Sequence, residues 1–236
     1  MSKKISIFLI SILFIFILSA CSSSQNNVAV NSQKQEVQEE KTPEQIEAEK
    51  EVERKAKEKE EADWKTFVIK NSKSLSAGEF EVGRHLDPFI YDFTFKDSGN
   101  LTIYDNFGNL VTNEIGSSTN DHGISRYRIP LGEGFVINIK GMTVNPRPVK
   151  NVLMPYRNIA LWSGYWFVGT DITEGRYTVT VSNGSGNFIV YDKDSKVIVN
   201  EILGGRIGVE KVVVNLKNGD MINISGLNNI KFTPSK

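Results

Sequence analysis

The chain repeats itself. From Val82 onward, a pattern recurs with a period of about 86 residues, which marks two copies of one structural unit. Val82-Gly83 matches Val168-Gly169, and Tyr91-Asp92-Phe93-Thr94 matches Tyr177-Thr178-Val179-Thr180. Gly99-Asn100-Leu101-Thr102-Ile103-Tyr104-Asp105 matches Gly186-Asn187-Phe188-Ile189-Val190-Tyr191-Asp192, and Asn113-Glu114-Ile115 matches Asn200-Glu201-Ile202. Farther on, Leu131, Gly134, Ile137-Asn138-Ile139 and Gly141 match Leu216, Gly219, Ile222-Asn223-Ile224 and Gly226. Each copy ends near a proline, Pro148 or Pro234.

Within each copy, apolar and polar residues alternate over short runs bounded by Gly, Asn, Asp and Ser, the period-2 signature of half-buried strands. In the second copy Tyr177–Val181, Phe188–Tyr191, Val197–Val199, Val212–Val214 and Met221–Ile224 read as strands rich in β-branched residues, with turns at Asn183-Gly184, Asp194-Ser195 and Asn218-Gly219. The fold class is therefore all-β: two tandem small β-sandwich or jelly-roll-like domains, at residues 73–150 and 151–236. One departure stands out, because Leu86-Asp87-Pro88-Phe89 occupies the place of Ile172-Thr173-Glu174-Gly175. The first turn of copy one is expected to be built differently.

At the other end, Lys3 and Lys4 precede an apolar run from Ile5 to Leu18, and Leu18-Ser19-Ala20-Cys21 follows. The run is short for a bilayer span, which needs roughly 20 apolar residues. An uncleaved anchor helix is the alternative, and polar Ser22, Ser23, Ser24 and Gln25 speak against it. The tetrapeptide resembles the lipobox of bacterial prolipoproteins. That resemblance implies a signal peptide at 1–20, cleavage between Ala20 and Cys21, and a lipid on Cys21 that tethers the mature chain to the extracytoplasmic face of the cell membrane. Cys21 is also the only cysteine. No disulfide can form within the chain, and a cysteine protease or thiolate metal site is excluded.

Residues 21–41 read as a disordered linker and 42–72 as a charged helical stalk. Thr42-Pro43-Glu44-Gln45 carries a helix start, with Thr42 as N-cap, Pro43 at the first helical position and Gln45 reaching back as in a capping box. Glu51 with Lys55 and Glu53 with Lys57 fall at the supporting i,i+4 spacing. Ile46, Val52 and Ala56 are sparse for a coiled-coil seam, which favours a lone solvated helix. Charge separates the two parts: residues 36–63 carry 12 acidic and 6 basic side chains, whereas 64–236 carry 16 and 19. The small, scattered basic excess does not suit nucleic acid.

The second copy, from Val168-Gly169-Thr170-Asp171-Ile172 to Gly175-Arg176-Tyr177-Thr178-Val179, resembles a repeat of uncharacterised surface lipoproteins of Gram-positive bacteria and their phages. The resemblance covers residues 76–234 and implies no activity.

Aligned positions offer a reading of which face meets water. Phe80 and Val82 match Trp166 and Val168, apolar in both copies and hence core. On the alternate face, Glu79 and Glu81 become Tyr165 and Phe167. Tyr165 and Phe167, with Trp162, are the candidate contact residues for a ligand or partner. Packing of Tyr165 and Phe167 against copy one or against the connector from Asn151 to Leu161 is the alternative the sequence favours, and Trp162 suits either.

Catalytic groups are scarce. His85 lies in a turn and His122 in a polar loop, neither at zinc-ligand spacing. Asp192 and Asp194 suit a turn. Glu114 and Glu201 are the acidic pair kept in both copies, read as structural residues bonding a neighbouring turn. The sequence thus leads to a monomeric non-enzyme with no catalytic residue, metal or cofactor. It is expected to contact a surface protein or cell-wall glycan. The alternative is a structural or accessory envelope lipoprotein, cellular or phage-linked, with no ligand of its own.

Overall fold

A computed structural model describes residues 42–119 and 123–235. The signal peptide, Ala20, Cys21, the 21–41 linker and His122 lie outside the described residues. The protein is all-β behind one helix, α1 (Pro43–Asn71). The first repeat holds β1 (Gly78–Glu81), β2 (Phe89–Lys96), β3 (Gly99–Tyr104), β4 (Leu110–Gly116), β5 (Arg126–Leu131), β6 (Val136–Lys140) and β7 (Thr143–Pro148). The second holds β8 (Ile159–Leu161), β9 (Gly164–Phe167), β10 (Gly175–Val181), β11 (Ser185–Tyr191), β12 (Val197–Gly204), β13 (Lys211–Leu216), β14 (Met221–Ser225) and β15 (Ile230–Pro234). All five strands read from the second copy are present. Its three turns also form, with Gly184 at φ 84°, Ser195 at 63° and Gly219 at 92°.

Both repeats share one topology. The order β1-β6-β3-β4 of the first recurs as β9-β14-β11-β12 in the second, and β5-β2-β7 recurs as β13-β10-β15, extended by β8. Each repeat closes two antiparallel sheets over its own core. Tyr91, Phe93, Leu101, Ile103, Ile129 and Ile137 fill the first; Tyr177, Phe188, Val190, Ile222, Ile224 and Phe232 fill the second. Inward residues alternate with more exposed ones along β2, β3, β4, β10 and β14, as the period-2 pattern requires. Residues 49–236 nevertheless form one compact unit, because β9 pairs in parallel with β5 at Arg128 and Gly164 and fuses two sheets into one of seven strands.

The first turns of the two copies are alike, contrary to the expectation from Leu86-Asp87-Pro88-Phe89. The Gly83 N–H donates to Leu86 O at 2.6 Å and the Gly169 N–H to Ile172 O at 2.8 Å, with φ of 95° and 94°. In each, a buried tyrosine hydroxyl bonds back four residues: Tyr91 to Asp87 O at 2.7 Å and Tyr177 to Thr173 O at 2.9 Å. The sequence difference reflects what covers the turn. In the first repeat it is the end of α1, where Asn71 Oδ1 accepts the Asp87 N–H at 2.8 Å and Lys70 Nζ meets the Asp87 carboxylate at 2.7 Å. Lys70, and after it the Asn71 Nδ2 group that donates to Asp87 Oδ2 at 2.9 Å, hold that carboxyl below its ordinary range. In the second repeat the connector does this, with Met154 O accepting both the N–H and the hydroxyl of Thr173. Phe89 packs against Trp64 and Phe67 at ring-centroid distances of 5.4 and 5.0 Å. At the matching Gly175, a Cβ would lie 2.3 Å from the Tyr156 ring, so the second repeat needs glycine there.

The capping box forms at the start of α1, with Thr42 N–H to Gln45 Oε1 at 2.9 Å and Gln45 N–H to Thr42 Oγ1 at 3.3 Å. Glu51 meets Lys55 at 3.2 Å, as expected. Glu53 and Lys57 form no ion pair; Arg54, bridging Glu51 and Glu58, does. The end of the helix is not a lone solvated rod, since Trp64, Phe67 and Asn71 are docked on the first repeat. Among the described residues no helix is long and apolar enough to cross a membrane.

Candidate functional site

Where the repeats meet, the chain buries charged side chains. Arg128 projects from the outer face of β5, opposite Asp92 on β2. Its guanidinium reaches Asp92 at 3.3 Å and, from the other repeat, Asp171 at 2.8 Å. Arg128 is 5% exposed and Asp171 1%. Arg128 also lies over the Trp166 ring at 4.6 Å, and its neighbour Arg126 stacks on Trp162 at 3.5 Å. Asp171 uses its second oxygen to accept the Phe167 N–H at 2.9 Å, the place taken in the first repeat by His85 Nδ1, which accepts the Glu81 N–H at 2.9 Å. Burial raises the Asp92 carboxyl above its ordinary value, outweighing the opposing pull of Arg128.

A second tie runs through Glu114 on β4. Its carboxylate accepts Ser225 Oγ at 2.6 Å and the Gly226 N–H at 3.2 Å. It thus bonds a turn of the other repeat, as the sequence suggested, whereas Glu201 is exposed at the corresponding place. Burial pushes the Glu114 carboxyl above its ordinary 4.5, and the two donors offset this only in part. The native protein therefore holds that proton more tightly than the unfolded chain, so Glu114 costs stability as pH rises above 4.5 through the raised value. Glu114→Gln, which keeps the shape, is expected to remove this fall; urea midpoints of the two proteins between about pH 4 and 7 should diverge, with the variant gaining toward neutral pH.

The three aromatic candidates sit at this junction. Tyr165 is half-buried against the first repeat's core, and its hydroxyl donates to Val111 O at 3.0 Å. Trp162 packs on the second core, edge-on to Trp166 at 4.6 Å. Phe167 is partly exposed beside Met221 on β14. Tyr165 and Trp162 thus have partners within the chain, the packing alternative of the sequence reading. His85 is exposed, and among the described residues no three His, Cys, Asp or Glu side chains converge as a metal site. Asp192 caps its turn by accepting the Asp194 and Lys196 N–H groups at 3.0 and 2.9 Å.

Between the repeats opens a cleft of about 1010 Å³, at the upper end of the usual range for ligand sites. One wall is Asn113, Glu114, Ile115 and the 123–126 segment; the other is Asn183, Gly184, Ser185, Gly226, Asn228 and Asn229. Asn228 braces it, its Oδ1 accepting the Ser125 N–H at 2.6 Å and its Nδ2 donating to Gly123 O at 2.8 Å. Asn183 and Asn229 are exposed. With Glu114 occupied by its two donors, the free groups are amides, a hydroxyl, exposed Ile115 and the Arg126 guanidinium. Such groups match hydroxyl- and amide-bearing molecules by hydrogen bonding, and the lining residues described include no nucleophile–base pair.

The sequence reading missed Arg128, Asp171 and the cleft. The repeat itself carried the signal, because Arg128 stands where the second copy has Val213, and Asp171 where the first has His85. No protein-family model matches the chain, and no curated protein does either.

Proposed function

We propose that the protein is a lipid-anchored extracytoplasmic binding module that contacts a protein or glycan at the cell surface through the cleft between its repeats. The observation that carries this reading is the cleft: two walls from different repeats, held in fixed relation by Arg128 and Glu114, enclose exposed amide groups. Support for the anchor comes from Leu18-Ser19-Ala20-Cys21. The competing reading, a structural or accessory envelope lipoprotein without a ligand, draws on Tyr165 and Trp162, whose rings are engaged within the chain.

Two variants test the proposal, one single and one double. Cys21→Ser is expected to release the protein from the membrane fraction. Asn183→Trp with Asn229→Trp is expected to fill the cleft while leaving the fold intact by circular dichroism. Cross-linking on living cells should then capture a specific molecule with the wild type and lose it with the filled variant. Equal capture by both would move the site elsewhere, and absence of capture by either would favour the structural reading.

A further inference from the structure

Arg126 lines a second hollow as well as the cleft. On the outer face of β5, β2 and β7, Arg126 lies opposite Thr94 and Thr94 opposite Asn145, while Asp92 lies opposite both Arg128 and Arg147. Directly opposed residues share a face, so Arg126, Thr94, Asn145 and Arg147 all project on one side, the outer strands being about 10 Å apart. Together with Val68, Ser72, Pro146 and Asp92 they line a hollow of about 410 Å³. Three guanidiniums here face two carboxylates, and Arg128 engages both of these. Among the described residues Arg126 and Arg147 are left without an ion pair or hydrogen bond. Arg126 is held flat against Trp162, an arrangement that covers the guanidinium face and leaves its in-plane donors free. Asn145 Oδ1 is taken by the Ser74 hydroxyl at 2.6 Å, so its amide presents the NH₂. The half-buried Asp92 carboxylate, engaged by Arg128, is the one anion of this lining; its other free side-chain groups are donors, apart from the hydroxyls of Thr94 and Ser72.

We propose that Arg126 and Arg147 form an oxyanion site for a linear, hydroxyl-rich polymer, one anionic group seated between the two guanidiniums and neighbouring units running past Arg126 into the amide-lined cleft. This rests on the binding reading above and names its ligand class. Phosphodiester-linked polyols and carboxylated sugars share the required chemistry: an exposed oxyanion on a polyol chain. Arginine suits both through paired N–H donors.

The test is calorimetric titration of the full-length lipoprotein in neutral detergent with three probes: a glycerol phosphate hexamer, a uronic acid hexamer and an uncharged N-acetylglucosamine hexamer. At least one anionic probe is expected to bind, more weakly as salt is raised, and the neutral one to bind at least tenfold more weakly. Which anionic probe binds decides between phosphodiester and carboxylate. Arg147→Gln, at an exposed residue that bonds nothing in the chain, and Arg126→Gln should each weaken binding about tenfold. Binding of the neutral probe as tight as that of the anionic ones would overturn the oxyanion site yet leave a cleft-binding module standing. Unchanged binding in the Arg126→Gln/Arg147→Gln double variant, or no binding by any probe, would overturn it too. Loss of cell-surface capture in the cleft-filled variant would still decide the broader reading independently.

Discussion

Arg128→Met is expected to destabilise the protein by about 3–5 kcal/mol, the range for removing one partner of a buried ion pair. Methionine keeps most of the side-chain volume, so little of the loss comes from a cavity. The cost arises at Asp171, 1% exposed, whose carboxylate retains the Phe167 N–H and loses its countercharge at 2.8 Å. Asp92, half-buried on the neighbouring strand, loses its 3.3 Å contact as well, and Trp166 loses the cation over its ring. Because Asp92 belongs to one repeat and Asp171 to the other, the damage should fall on the junction. Arg128→Met/Asp171→Asn removes both charges and should recover a large part of the loss, a coupling that a double-mutant cycle in urea measures directly. A single-variant loss below about 1 kcal/mol would mean that the group behaves as a solvated surface pair.

The repeats were legible because their information is local. Alternation along Tyr177–Val181 or Met221–Ile224, and Asn-Gly at 183–184 and 218–219, state strand and turn within a few residues. The Thr42–Gln45 capping box is equally local. The junction was not legible, since its contacts join residues far apart in the chain: Ser225 with Glu114, Asn228 with Ser125, Asp171 with Arg128. Period-2 reasoning correctly put Tyr165 opposite the core face of its own repeat, but no alternation rule states that this outer face meets a neighbour. The aligned copies nevertheless held the clue. Glu79 in one repeat and Tyr165 in the other occupy one structural position with different surroundings, and that change marks a surface that only the second repeat buries. Similarly, Asp87-Pro88-Phe89 differs from Thr173-Glu174-Gly175 through what packs on the turn, a helix end in one case and a connector in the other, with the turn itself unchanged.

At one pair of matching glycines the two repeats differ sharply in how closely another backbone approaches. Gly78 and Gly164 open matching strands, paired with Ile139 and Ile224 in matching registers, and both have positive φ, 154° and 131°. Alanine at either position pays about 1–3 kcal/mol for backbone strain. At Gly78 the new methyl finds only the Phe80 ring, at 3.7 Å. At Gly164 it would sit 2.1 Å from Arg128 O and 2.5 Å from Arg128 N, backbone atoms that cannot rotate away. Relief requires β9 to move off β5, which breaks the bond from the Arg128 N–H to Ser163 O at 3.0 Å and shifts the guanidinium from Asp171. Gly164→Ala should therefore exceed Gly78→Ala by roughly 1–3 kcal/mol, the usual cost of forced overpacking, when both are unfolded in urea. On the proposed binding role, the extra loss should be accompanied by weaker capture at the cell surface, because one wall of the cleft is carried by each repeat and the strand pair between them sets its width. Equal losses at the two glycines would show that the repeats meet loosely, and a cleft between loosely joined walls would have to be ordered by its ligand.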